Sequence, residues 1–230
     1  NTLPTDGFVW IEGSTQPYQG EVQIIMNRIE AYEPTQRELE ELLPSTKFDV
    51  TKMFREVMAL LGSLENPAVK ALADRYLEDG ALMDMFCRAP AAQTLHHAFL
   101  GGLLEHTLSL MKLADRILPH YAELNRDIVL FGLFIHDLGK CAELTWERGF
   151  GYSFDGQLVG HIARGCIWLD QKAAACEQLD EPVKIPPPII TVLHHIILSH
   201  HGRPDYGAAK LPATPEAIFI SMLDNMDAKM

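Results

Sequence analysis

The run NRDIVLFGLFIHDLGK, residues 125–140, decides how the rest of the chain is read. Its middle, Leu130–Ile135, is apolar all round, which predicts an interior helix from about Asn125 to Leu138, with Gly139 as its C-terminal cap. At the end stand His136 and Asp137, two titratable residues that are costly to bury unless paired or metal-bound. The pair alone is weak, because ten histidines and this many aspartates in 230 residues supply about one His-Asp dipeptide by chance. Its weight comes from His106 upstream and from His161, His200-His201 and Asp224 downstream.

Each of these residues falls in a stretch with helical signals. His106 lies in an apolar run from about Thr94 to Leu118, stopped by Pro119. Asp155-Gly156 opens the helix of His161, and prolines 186–188 precede the one carrying His194, His195, His200 and His201. Thr214-Pro215-Glu216 is a cap-plus-proline start for the helix of Asp224. Further upstream, Ser45 or Thr46 caps a helix to about Leu61 with Phe54, Val57, Met58 and Leu61 facing the core. Asn66-Pro67 opens the next. The expected body is a helical bundle over residues 47–230.

Residues 1–33 differ. GFVWIEG and GEVQIIMNRI are β-branched-rich runs joined by the turn-forming STQPYQG, which reads as a β-hairpin. Two strands alone are marginal in water, so the hairpin is expected to need a partner sheet or to be the end of a small barrel begun upstream. A start at Asn1 and an end at Met230 within a helical pattern also suggest a fragment. Trp10 and Tyr18 are assigned to core packing or a cross-strand contact before base stacking. Pro34 and Pro44 bracket an acidic linker, residues 34–46, whose RELEELL reads as a short helix.

The chain is 47% hydrophobic, ample for a core, and holds neither a 20-residue apolar span nor a signal peptide, so a cytoplasmic protein without a membrane partner is expected. Cys87, Cys141, Cys166 and Cys176 show no CxxC spacing and read as reduced, mostly buried residues. A net charge of −12 argues against a protein that coats nucleic acid. It leaves room for an enzyme whose cleft is made positive by bound cations and by Lys140, Arg164, Arg203 and Lys210.

Neutral imidazoles with a bridging carboxylate suit a binuclear site for a borderline transition metal. One cation is assigned to His106, His136, Asp137 and Asp224, and the second to Asp137, His161, His200 and His201, with Asp137 as bridge. His200 is the stronger of its pair, since adjacent helical residues point about 100° apart. Two metals sharing a hydroxide can clamp both oxygens of an in-line displacement at phosphorus, which makes phosphoester hydrolysis the expected chemistry, with Asp137 and Lys140 as catalytic groups. Mixed nitrogen and oxygen ligation favours manganese, iron, cobalt, nickel or zinc over magnesium or calcium. Lys140, Arg164, Arg203 and His97 are the substrate-contact candidates, whereas His120, His194 and His195 read as satisfied core or boundary residues.

The order His106, His136-Asp137, Asp224 resembles the HD superfamily of metal-dependent phosphohydrolases, and adding His161 and His200-His201 resembles its multinuclear branch. GGLLEHTLSL, HDLGKCAEL, DGQLVGHI, ILSHHG and DNMDAK, in that order, resemble the YhaM-type 3'-to-5' exoribonucleases. That resemblance implies an OB-fold before a helical HD domain, manganese stimulation, and stepwise shortening of single-stranded RNA or DNA. It makes the hairpin the end of an OB-fold, an element suited to holding a strand without reading its sequence. Three other readings compete: a phosphohydrolase of small or cyclic nucleotides, a non-catalytic binding module, and oxygen activation at a di-iron centre. Oligomeric state is left open.

Overall fold

The computed structural model describes residues 3, 7–35, 38, 41–92, 98–146 and 149–230. It is mainly helical behind an N-terminal hairpin. Strands β1 (Phe8–Tyr18) and β2 (Glu21–Tyr32) pair antiparallel from Phe8 opposite Tyr32 to Tyr18 opposite Glu21. The turn is tighter than the sequence suggested: STQPYQG is mostly strand, and only Gln19 and Gly20 turn, with φ of 50° and 88°. Positive φ at both positions gives a two-residue turn whose twist matches the strands. Almost every hairpin residue is exposed, including Trp10 opposite Glu30 and Tyr18 opposite Glu21, so neither aromatic belongs to the core. Among the described residues the two strands pair only with each other.

The body begins with α1 (Val50–Gly62), capped by Asp49 and not by Ser45 or Thr46. Thr46 is used elsewhere, its hydroxyl donating to Glu105 while its backbone N–H reaches Leu100 O. The buried positions of α1 are Met53, Val57 and Leu61; Phe54 is half-buried and Met58 exposed, a rotation of the expected face by one residue. Then come α2 (Pro67–Leu77), capped by Asn66 as expected, and α3 (Gly80–Arg88). Of the RELEELL linker, residues 38 and 41–43 are described, with Glu38, Glu41 and Leu42 helical as expected.

Helix α4 is Gly102–Ile117 and begins at Gly101, whose φ of 78° ends any continuation from upstream. Helix α5 (Arg126–Ile135), capped by Asn125, is the centre of the bundle and packs on α1, α2 and α4. Its apolar residues Ile128–Ile135 are buried on all sides, with Phe131 and Phe134 edge-on to Tyr76. After α5 the chain turns through His136–Gly139 into a short α6 (Lys140–Glu143) and the small pair β3 (Leu144–Thr145) and β4 (Gly151–Tyr152).

The helix expected to carry His161 is two: α7 (Phe154–Leu158), capped by Ser153, and α8 (Gly160–Cys176), broken at Gly160 with φ of 77°. Helix α9 (Pro187–Ser199) ends before His200 and His201, and α10 (Pro215–Asp227) is capped by Thr214. Both α9 and α10 cross α5 at Gly132, where an added Cβ would lie 2.9 Å from Ile220 and 3.0 Å from Ile196.

Candidate metal centre

Buried polar groups carry the chemistry of this fold. The end of α5 points His136 and Asp137 into the bundle, where both are buried, and every other site residue arrives from a separate element. His106 comes from α4, Asp224 from α10, His161 from the first turn of α8, and His200 and His201 from the turn after α9. Gly139 makes this convergence possible, though not as a left-handed cap: its φ is −58°, and an added Cβ would stand 2.1 Å from the carbonyl oxygen of His161. Glycine is required there for close approach, which seats His161 beside Asp137.

Asp137 divides its two oxygens between two groups. Oδ2 faces His136 Nε2 at 3.5 Å and His106 Nε2 at 3.8 Å, while Oδ1 faces His200 Nε2 at 3.3 Å and His161 Nε2 at 3.6 Å. Asp224 Oδ1 closes the first group, 3.3 Å from His106 Nε2 and 3.8 Å from His136 Nε2. The donor atoms of His106, His136, Asp137 and Asp224 lie within 4.8 Å of one another, as do those of Asp137, His161, His200 and His201. Both members of the His200-His201 pair reach the centre, from the turn that follows α9.

The outer ring nitrogens are engaged. His136 Nδ1 lies 2.7 Å from Leu133 O, His200 Nδ1 2.8 Å from Ile197 O, His161 Nδ1 2.8 Å from Glu143, and His106 Nδ1 2.7 Å from Asp227. These partners assign Nδ1 as the protonated nitrogen and turn the Nε2 lone pairs inward. There, among the described residues, the buried atoms His136 Nε2, His161 Nε2, His200 Nε2 and Asp137 Oδ1 meet no hydrogen-bond partner. Inward lone pairs with no donor to accept are what a cation requires, so the residues fit divalent metals.

The buried acids and imidazoles also shift one another's titration. Burial works against the charge of Asp137, yet the Lys140 ammonium and the surrounding imidazoles hold its carboxyl well below the usual range. Burial likewise opposes Asp224, which His106 and His136 hold low. His106 is lowered by burial but raised more by Asp224 and Asp227, to about 9, whereas burial and neighbouring His200 push His201 down to about 4.

Glu143 and Asp227 were not singled out in the sequence. Glu143 also accepts from the His161 backbone N–H, and Asp227 also accepts from Ser109. Their only signal was spacing: each stands three residues beyond a site residue, Lys140 and Asp224 respectively.

The candidate substrate cations divide. Lys140 Nζ sits 2.7 Å from Asp137 Oδ2, and Arg164 is bound to both carboxylate oxygens of Asp155, with Nε 3.0 Å from Oδ2. Arg203 instead lines an open pocket beside His201. His97, with His96, lies outside the described residues. His195 accepts from Ala213 N–H, His194 sits 3.1 Å from Asp170, and His120 is exposed, so none joins the centre.

The family model of the HD domain matches residues 103–229. A 3'-5' exoribonuclease YhaM from Bacillus pumilus (strain SAFR-032) is 31% identical over 230 residues, covering all of this chain and 70% of that protein. YhaM from Geobacillus sp. (strain WCH70) is 32% identical over 98% of this chain and 67% of its own length, and YhaM from Bacillus subtilis (strain 168) is 30% identical over 100% and 70%. No solved structure matches the chain. With its buried His-Asp pair at the crossing of five helical elements and its match to the HD domain across more than half its length, the chain belongs to the HD superfamily of metal-dependent phosphohydrolases, as a YhaM-like member.

Proposed function

We propose that the chain is a 3'-to-5' exonuclease of single-stranded RNA or DNA that works with two divalent cations, manganese being the favoured metal. The observation that carries the two-cation reading is the split of Asp137, one oxygen toward His106 and His136 and the other toward His161 and His200. Bound there, such cations would supply Lewis acidity at a phosphoester and a water acidified toward neutral pH. The site ligands are then His106, His136, Asp137 and Asp224 on one side, and Asp137, His161, His200 and His201 on the other.

The chain's own groups do the rest. Lys140 fixes Asp137 and keeps it ionised, and its ammonium adds positive charge where a phosphoryl group would gather negative charge. Leu133 O, Ile197 O, Glu143 and Asp227 hold the imidazoles in one tautomer. Substrate contacts fall to Lys140, Arg203 and, once released from Asp155, Arg164. Trp10 and Tyr18, exposed on the hairpin, offer flat faces on which unpaired bases could stack. A strand as substrate is supported by the YhaM relatives, which are named 3'-5' exoribonucleases.

The test is a 5'-labelled single-stranded oligonucleotide incubated with manganese. Stepwise shortening is expected, and it should vanish in Asp137→Asn and His106→Ala. Hydrolysis of mono- or cyclic nucleotides without any shortening would replace the exonuclease reading by the small-nucleotide one.

A further inference from the structure

The pocket beside the second ligand group carries the substrate question further. It encloses about 340 Å³ and is lined by His201, Arg203, Tyr206, Met222, Asn225 and Lys229, among others. That volume is at the lower end of small-molecule sites and suits one nucleotide better than a length of strand. His201 belongs both to this lining and to the ligand group around Asp137, so an occupant of the pocket would lie against the centre itself.

The chemistry of the lining is that of a nucleotide seat. Tyr206 leaves 64% of its surface exposed, and Met222 adds apolar surface. Stacking on such a ring is indifferent to base identity, because every base has a π-face. Arg203 and Lys229 are two cations with no side-chain partner among the described residues, unlike Lys140 and Arg164, in a chain whose net charge is −12. The Asn225 amide both donates and accepts, as a sugar hydroxyl requires.

The loop is also held in place. Gly202 and Gly207, with φ of 77° and 96°, bracket the turn carrying Arg203 and Tyr206. Backbone bonds from Gly202 N–H to Ser199 O and from Lys210 N–H to Leu198 O tie it to the end of α9. An added Cβ on Gly202 would come within 2.8 Å of Ser221, so glycine there lets α10 close the pocket wall. A wall fixed in advance lowers the ordering cost of binding.

We infer that this pocket seats the 3'-terminal nucleotide of the strand, with its base on Tyr206 and its phosphate oxygens facing Arg203 and Lys229. The inference rests on the exonuclease reading above. Hydrolysis would form a bond from a water oxygen to phosphorus and break the bond from phosphorus to the 3' oxygen of the preceding nucleotide. The water's proton would end on that 3' oxygen, leaving a nucleoside 5'-monophosphate in the pocket.

Calorimetric titration of the manganese-loaded full chain with adenosine 5'-monophosphate and uridine 5'-monophosphate tests this. Both should bind the wild type. Tyr206→Ala should weaken each about tenfold or more, Tyr206→Phe should restore most of the affinity, and Arg203→Ala with Lys229→Ala should weaken both nucleotides with an unchanged melting temperature. Equal affinities in the wild type, Tyr206→Ala and the Arg203/Lys229 double variant would overturn the seat, whether or not the oligonucleotide is shortened. Monophosphate binding that depends on these residues in a wild type that shortens no strand would keep the seat and overturn the exonuclease reading.

Discussion

The two ligand groups share Asp137 and little else. The first, built from α4, α5 and α10, adds a second carboxylate, Asp224, and lies where His106 is drawn up to about 9 by the acids around it. The second, built from α8 and the turn after α9, answers the same Asp137 with imidazoles alone, and His201 falls to about 4. One is an anionic site enclosed by helices, and the other is a nitrogen-rich site open to a pocket. The difference teaches that one carboxylate can face two unlike surroundings, and on the proposed two-cation reading the side of Asp224, with its second carboxylate, would hold its cation with the stronger electrostatic grip.

The most severe way to break that contrast is Asp137→Asn, which removes the shared charge. On the proposed two-cation reading, metal analysis should fall from two cations per chain to none, and phosphodiester hydrolysis should drop by about 10³ or more, since both cations would act together in catalysis. Next, Gly139→Ala would force a Cβ into the His161 carbonyl. It should cost about 1–3 kcal/mol in a denaturant titration and empty the second group while the first keeps its metal. Glu143→Gln and Asp227→Asn sharpen the contrast more gently. Each should weaken metal affinity about 10–100-fold, the former in the second group and the latter in the first, as site-resolved manganese titration would read. At the bottom of the scale, His120→Ala, on an exposed 3-10 turn, should leave metal content unchanged and stability within about 0.5 kcal/mol.

Much of the centre was legible because its residues break local rules. A His-Asp pair after Leu130–Ile135 and an aspartate after Ala217–Leu223 are polar where the pattern is apolar, and burial of such groups demands a partner. The orienting carboxylates were hidden for the opposite reason. Glu143 and Asp227 are two among 31 acidic residues, and apart from standing three residues past Lys140 and Asp224 nothing local separates them from solvated ones. Helix ends were misplaced where conformation depends on distant contact. Gly139 has the chemistry of a cap but serves the approach of His161, and Asp155-Gly156 opens only a short helix because Gly160 breaks the path. In the hairpin, Ser14–Tyr18 looked like a turn by composition, yet cross-strand pairing with Glu21–Ile25 keeps it extended.

The most direct measurement is anomalous diffraction from crystals of the full chain grown with manganese. Two peaks should flank Asp137, one bounded by His106, His136 and Asp224 and the other by His161, His200 and His201. A single peak, or peaks with Asp137 outside both coordination shells, would contradict a two-cation centre bridged by that residue.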